Sequence, residues 1–491
     1  MAKTPDKAEA RKAADSAKMV QTKRPRLFKR VELVLPCGMF SEIKNYLFQD
    51  TSKEYACYLL CGHAAVGKTL RLLGCYLVKP DPSEYESHSL VSVRLRQELL
   101  IEVLKECERH SLSLIDIHSH PFASDSVAFS GVDEADEREK AKWFATHLPH
   151  CFYGSVVLGK HCHKARIRSA AGALIEADLP IKSIEAPLKA VEIATSQSLH
   201  NSSTFDRHVR AFGAEGQKRI ASAHFGIVGL GGLGASLAIS LARLGARKFT
   251  LIDPDRVEIH NLNRVAGMTL TDAKCRLRKV DIVTRELLEI EPRINCRTLD
   301  RSVLEKHAWH SLLATDLIIT ATDNHASRML LNALSQQYLV PQVSIGTLID
   351  TKDGKIEGGY GHVGVVLPGH RRPCLLCAKI INPIEAYYET APEGHRREAA
   401  KRGYIVNFDE PAASVVHLNG VLANLALVEI HNLFCAFKEP ACHLQYDMFE
   451  QEILNVIEGD QQCATCSPGG GNFGRGDLVS LDNIFKELTP Q

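Results

Sequence analysis

HFGIVGLGGLGASLAISLARLGARKFTLIDPDRVEIHNLNR, from His224 to Arg264, decides how the chain is read. It opens on a short apolar run, Phe225 to Val228, of strand character. Gly229, Gly231 and Gly234 then form GxGxxG, with Gly232 as an extra glycine. Ala235 to Leu244 has helical periodicity, and Lys248 to Ile252 reads as a second strand ending at Asp253. This order predicts a βαβ unit whose glycines let the backbone approach phosphates at a helix N-terminus. Asp253 stands where an acidic side chain binds a ribose hydroxyl. So far a nicotinamide oxidoreductase fits equally well. The continuation shifts the balance: Asp255, Asn261, Asn263 and Arg264 follow the second strand directly, a polar cluster that a dehydrogenase does not need.

The pattern continues as DPD at Asp253–Asp255, NLNR at Asn261–Arg264 and ATDN at Ala321–Asn324, with CxxC pairs at Cys374/Cys377 and Cys463/Cys466. Together these resemble the ThiF/MoeB adenylyltransferases, the catalytic core of ubiquitin-activating enzymes, over about 260 residues from near Phe205 to Pro468. The resemblance implies a Rossmann-like domain that binds ATP and Mg2+ and adenylates the C-terminal glycine of a ubiquitin-like protein. Gly229, Gly231, Gly232 and Gly234 would cradle phosphate, and Asp253 would take the ribose. Asn261, Asn263 and Arg264 would lie near the phosphates, with Arg264 offsetting charge on the leaving pyrophosphate. The family lysine is expected some thirteen residues after Arg264 and falls on Lys279, two residues out of register, with Lys274 as the other candidate. Asp323, beside Asn324 at a strand end, is the candidate for holding magnesium. FDRHVRAFGAEGQKRI matches the family's arginine segment through Arg207 and Arg210, the second reaching across a homodimer to the nucleotide.

The CxxC pairs are separated by 85 residues, and four thiolates close a tetrahedral structural zinc. One departure stands out. No cysteine occurs from Ala378 to Phe434, where relatives that form a thioester have one. Phe408 sits roughly in its place, and Ser414 is a poor substitute without a base. The reading is therefore an enzyme that stops at the acyl-adenylate.

The 491 residues suggest two or three domains. A hydrophobic share of 45% and a charged share of 24% are those of a globular protein. With 59 basic against 58 acidic residues, nothing global points to nucleic acid or a membrane surface. No apolar run approaches the roughly 20 residues of a membrane span. The N-terminus has no secretory core, and fifteen cysteines without scaffold spacing read as reduced thiols and metal ligands in a cytoplasm. Residues 1–28 read as a disordered basic tail, and 189–204 as a linker.

Before that linker, residues 29–188 form an α/β domain. Strands are expected at Arg30–Leu35, Tyr55–Cys61, Leu70–Val78, Ser113–Ile117 and Phe152–Leu158, and helices at Val91–His110 and Glu134–Thr146. Gly62–Thr69 matches the phosphate-loop pattern GxxxxGK[ST], but an apolar strand-like run follows where a helix is required. It is read as a chance match in a β-hairpin turn.

DIHSHPFASDSVAFSGVDEAD, Asp116–Asp136, is more informative. His118 and His120 alternate on one face of a strand end, and Asp133 follows Ser130 by three residues. Two His, one Asp and an open position make a zinc site of catalytic type. HSHP and SGVD, with Glu54 in EYACYLLCG, resemble the JAMM/MPN metalloproteases, which cleave after the C-terminal glycine of ubiquitin-like proteins. The resemblance implies a cytidine-deaminase-like fold, Glu54 as general base and Ser130 as hydrogen-bond donor to the tetrahedral intermediate. Nine residues separate His120 from Ser130, where the family has seven.

Together these readings describe a fusion. One module exposes a glycine carboxylate, or strips conjugates, and the other, spanning 205–468, activates it. The cofactors are ATP, Mg2+ and two zinc ions, one catalytic and one structural. The partners are a ubiquitin-like protein, a conjugating enzyme and a second copy of the chain, without membrane or nucleic acid. A sulfur-carrier-activating enzyme with a carrier-maturing protease is the alternative, followed by a nicotinamide oxidoreductase. Residues 469–491, beginning GGGNFGRGDL, read as a flexible linker to a short amphipathic end.

Overall fold

Apolar residues fall on both faces of the N-terminal strands, so both faces need cover. The computed structural model describes residues 28–168, 174–176, 178–188, 203–369, 372–402, 413–456, 463, 465–467, 471–481 and 484. The basic tail before residue 28, most of the linker and Phe408 lie outside these described residues. The first unit begins with β1 (Arg30–Leu35) and α1 (Met39–Leu47). Next come β2 (Ala56–Val66), β3 (Thr69–Val78), a small hairpin of β4 (Tyr85–Ser89) with β5 (Ser92–Leu95), and α2 (Gln97–His110). After these come β6 (Ser113–Ser119), α3 (Gly131–His147), β7 (Tyr153–Leu158), β8 (His163–Arg168), β9 (Leu174–Glu176) and β10 (Ile181–Ser183). All but β4 and β5 join one sheet of order β10-β1-β3-β2-β6-β7-β8-β9.

Met39, Ile43 and Leu47, spaced at i, i+4 and i+8, seat α1 on one face of this sheet. Leu99, Val103 and Cys107 of α2, with Ala141 and Phe144 of α3, cover the other. The Gly62–Thr69 motif is the turn between β2 and β3, where Val66 pairs with Thr69 and Gly67 takes φ +61°. No helix opens there, as the hairpin reading requires. The helix expected from Val91 starts at Gln97 instead. Ser92–Leu95 pair with Tyr85–Ser89 as β5, a pairing that outweighs the helical spacing downstream.

The second unit is doubly wound at first. It comprises α4 (Asp206–Ser222, kinked at Gly213), β11 (His224–Val228), α5 (Gly232–Leu244), β12 (Lys248–Ile252), α6 (Leu270–Cys275), α7 (Lys279–Ile290), β13 (Asn295–Leu299), α8 (Lys306–Leu312), β14 (Leu317–Thr320) and α9 (His325–Tyr338). It continues through β15 (Gln342–Lys352), β16 (Lys355–Val366), α10 (Pro383–Thr390), α11 (Glu393–Lys401), α12 (Val416–Cys435), β17 (His443–Asp447) and β18 (Glu452–Asn455). The sheet order is β13-β12-β11-β14-β15-β16-β17-β18, parallel through β15 and antiparallel beyond. Strand order reverses between β11 and β14, which opens a crevice at their carboxyl ends where such sheets take ligands. The apolar helix α12 is long enough for a membrane span, but 56% of its apolar window is buried inside the fold, where it packs on α5.

The two units share a core. Val34, Ala64 and Leu73 of the first sheet, with Ile184 and Leu188, join the same apolar cluster as Phe225, Leu312 and Phe434. Cys37 bridges the backbone of Gly369, Lys182 meets Asp316 at 3.0 Å, and Arg71 donates to the Leu313 carbonyl at 2.6 Å. Residues 471–481 do not form the expected free linker. Phe473 and Leu481 are buried in the shared core, because the seam between the two sheets offers apolar cover to exactly these side chains.

Candidate functional sites

At the end of β11 the chain must turn sharply onto α5. Gly229 takes φ +86°, and a Cβ on Gly234 would lie 1.9 Å from the Gly229 carbonyl oxygen. Only glycine fits this approach, and the turn leaves the N-terminal N–H groups of α5 facing the crevice. Asp253 ends β12 directly behind it. Its Oδ2 accepts from the Leu230 N–H at 2.6 Å and its Oδ1 from the Asp255 N–H at 2.8 Å. The side chain is 4% exposed, and burial pushes its carboxyl above the usual range. Asp253 thus braces the glycine turn, with lone pairs to spare.

Asn261 is buried, and its Oδ1 caps the short turn at Glu258. Asn263 and Arg264 lie towards solvent, bonded to each other at 3.1 Å. Lys279 is buried at the start of α7 with its Nζ 2.7 Å from Asp255. Lys274 sits in the last turn of α6. Of the two lysines, the one in contact with the DPD motif is Lys279. Asp323 is exposed at the end of β14, while Asn324 caps α9 by accepting from the Ser327 N–H at 2.8 Å. Arg210 pairs with Asp206 at 2.8 Å on an open face of α4, away from the glycine turn's bonds.

Two residues of this region went unread in the sequence. Glu389 of α10 accepts from the His325 and Ala326 N–H groups, so it caps α9 beside Asp323. Burial raises its pKa. No local signal marks it, because its partner is 63 residues away. Asn419 of α12 is buried with its Nδ2 2.4 Å from where a Cβ on Gly232 would stand. It also bonds Ser414 at 3.1 Å and Thr347 at 3.2 Å. An amide at the start of the apolar run LNGVLANLAL was its signal, although Asn424 in the same run carries another.

In the first unit, antiparallel pairing sets the start of β2 against the end of β6, with Ala56 opposite His118. That brings Glu54 beside His120, at 3.7 Å. The Ser130–Asp133 capping box starts α3 and aims Asp133: Oδ2 accepts from the Ser130 N–H at 2.6 Å, while Oδ1 lies 3.6 Å from His118 Nε2. One ligand atom from each of His118, His120 and Asp133 lies within 4.8 Å of the others. His118 Nε2 is buried without a hydrogen-bond partner, the environment of a ligand atom. Burial, then the Asp133 charge, pushes Glu54 up to about 7. Ser130 Oγ accepts from the Asp133 N–H at 3.2 Å and keeps its own proton to donate.

Cys374, Cys377, Cys463 and Cys466 also converge within 4.8 Å. Their S···S distances include 3.7, 3.9 and 3.5 Å. A tetrahedral zinc with Zn–S bonds of about 2.3 Å has sulfurs about 3.8 Å apart, so the set fits.

The ThiF family model matches residues 205–467. The adenylyltransferase and sulfurtransferase MOCS3 of Drosophila virilis is 29% identical over 240 residues, 48% of this chain and 51% of the relative. The sulfur carrier protein ThiS adenylyltransferase of Bacillus subtilis (strain 168) is 29% identical over 172 residues, 35% of this chain and 48% of the relative. The chain thus spans about half the length of the curated relatives it matches. Among solved structures, Escherichia coli MccB with MccA-N7isoASN shares 20% identity at a TM-score of 0.45, covering 54% of this chain and 76% of that one. The match from 205 to 467 takes in the glycine turn, Asp253, Asp323 and all four clustered cysteines, and by it the chain belongs to the ThiF family.

Proposed function

We propose that the second unit activates the C-terminal carboxylate of a small carrier protein by adenylation with ATP. The observation behind this is the convergence at one strand-order switch of the glycine turn, its brace Asp253, the Lys279–Asp255 pair and Asp323. In this reading the glycine turn holds the phosphates and Asp253 takes the ribose with its remaining lone pairs. A carboxylate oxygen attacks the α-phosphorus and pyrophosphate leaves in line. Arg264 and Lys279 balance the charge on the departing oxygens, and Asp323 holds the magnesium that accompanies ATP. Arg210 would reach the nucleotide of a second copy. The acyl-adenylate is the product, since the crossover segment offers no thiol.

The curated relatives favour a sulfur carrier about as well as a ubiquitin-like modifier, since one acts on ThiS and another is also a sulfurtransferase by name. The test is ATP–pyrophosphate exchange with a diglycine-ended carrier. Exchange should require the carrier, not a small acid, and vanish in Asp323→Ala. Exchange that persists in that variant would overturn the assignment.

For the first unit we propose a metal-dependent peptidase acting on the same carrier, of the JAMM type. His118, His120 and Asp133 would hold a zinc ion, which when bound supplies Lewis acidity to the scissile carbonyl. Glu54 would take the proton of the attacking water and return it to the leaving amine, while Ser130 donates to the carbonyl oxygen. Glu54→Gln should keep its zinc by elemental analysis yet fail to cleave a C-terminally extended carrier. The Cys374, Cys377, Cys463 and Cys466 cluster would hold a second, structural zinc.

A further inference from the structure

The chain that supplies Cys463 and Cys466 goes on to fill the seam between the two units. Phe473 is 1% exposed in the shared core. The Gly474 and Gly476 N–H groups donate to the carbonyls of Gln336 and Gln337, at the end of α9, at 3.1 and 3.0 Å. Gln337 Nε2 returns bonds of 2.7 Å to the Gly476 and Val479 carbonyls. On the other side, the Asp477 N–H donates to the His63 carbonyl at 2.8 Å, and Asp477 Oδ2 accepts from the Ala65 N–H at 2.8 Å. Tyr338 donates to Asp477 Oδ1 at 3.1 Å. Residues 472–481 are therefore a strap bonded to the β2–β3 hairpin of one unit and to α9 of the other. Gly476 has φ +56°, and a Cβ there would lie 2.2 Å from the His63 oxygen.

We propose that the four-cysteine site has a second function: a metal bound there anchors this strap and so holds the two units together. This rests on the reading of the cysteines as a metal site. The physical argument is loop closure. With Cys466 fixed, the chain takes 6 residue steps to reach Asn472; with it released, the nearest held point upstream among the described residues is Val456, bonded to the His443 carbonyl at 2.7 Å and 16 steps away. Closure probability falls roughly as the −3/2 power of length, so releasing the cysteines should open the strap about fourfold more often.

The test uses the full chain. Zinc is first counted in the wild type and in Cys466→Ser, which leaves the histidine site untouched. Hydrogen exchange is then followed at the N–H groups of Ala65, Gly474, Gly476 and Asp477. In Cys466→Ser, one zinc should be lost and these four should exchange about fourfold faster, with Ile227 in the sheet core unchanged. Gly476→Ala should speed the same four while keeping every zinc. Unchanged protection after confirmed zinc loss overturns the strap anchor and leaves the metal reading standing. A wild type whose cysteines take no zinc overturns both, and the metal count shows it before any exchange is measured.

Discussion

Glu137 is 2% exposed and receives the side chains of Arg166 and Arg168, each Nε at 2.9 Å. Arg166 also lies 3.7 Å from the ring centre of Phe129. This cluster ties β8 to α3, the helix whose first turn presents Asp133. Removing one partner of a buried ion pair strands the others, at roughly 3–5 kcal/mol. Glu137→Gln should therefore lower the urea stability of the whole chain by about that amount, while the exposed Glu139→Gln changes it little. A loss below about 1 kcal/mol would mean that water already screens these arginines. In the second unit the sharpest single-residue test is Gly234→Ala. Its methyl meets the Gly229 oxygen, so the turn must open, and ATP affinity measured by calorimetry should fall at least about tenfold, or about 1.4 kcal/mol. Unaltered affinity would remove the glycine turn from the nucleotide site.

His224 opens β11 with both ring nitrogens engaged, Nδ1 at 3.0 Å from the Ala314 carbonyl and Nε2 at 2.9 Å from Thr250 Oγ1. Burial holds its pKa down at about 4 from 6.5. The unfolded chain thus binds the proton first, so the contribution is full above pH 6.5 and is lost as pH falls towards 4. At roughly 1.4 kcal/mol per unit the upper bound is about 3 kcal/mol. Urea midpoints at pH 7, 5.5 and 4 should fall, and fall less in His224→Gln; equal slopes would refute the assignment. The β11–α5–β12 unit was legible because glycine turn, helix period and strand ends are all local. The HxH, SxxD and CxxC spacings marked side chains that do converge in the fold, because candidate ligands recur at fixed intervals. The start of α2 was not, since Ser92–Leu95 become a strand only by pairing with Tyr85–Ser89. The parallel pairing of β10 with β1 joins residues nearly 150 apart and leaves no mark on either stretch.

The least legible feature was the seam, for its apolar residues look like ordinary strand and loop positions until both sheets are in place. Leu73 is an example: it is fully buried, sits in β3 of the first sheet, and belongs to the core of the second unit. A core shared in this way, reinforced by Lys182–Asp316 and the strap, should make the two units unfold as one. The chain has two tryptophans, Trp143 in α3 and Trp309 in α8, one in each unit. Trp143→Phe and Trp309→Phe therefore give single-tryptophan reporters of each half. Their urea midpoints should coincide. Leu73→Ala removes a fully buried side chain at about 2–5 kcal/mol and should lower both midpoints together. If instead the Trp143 signal moves and the Trp309 signal stays, the units are energetically separate, and whatever passes between their sites does so through solvent rather than through a common frame.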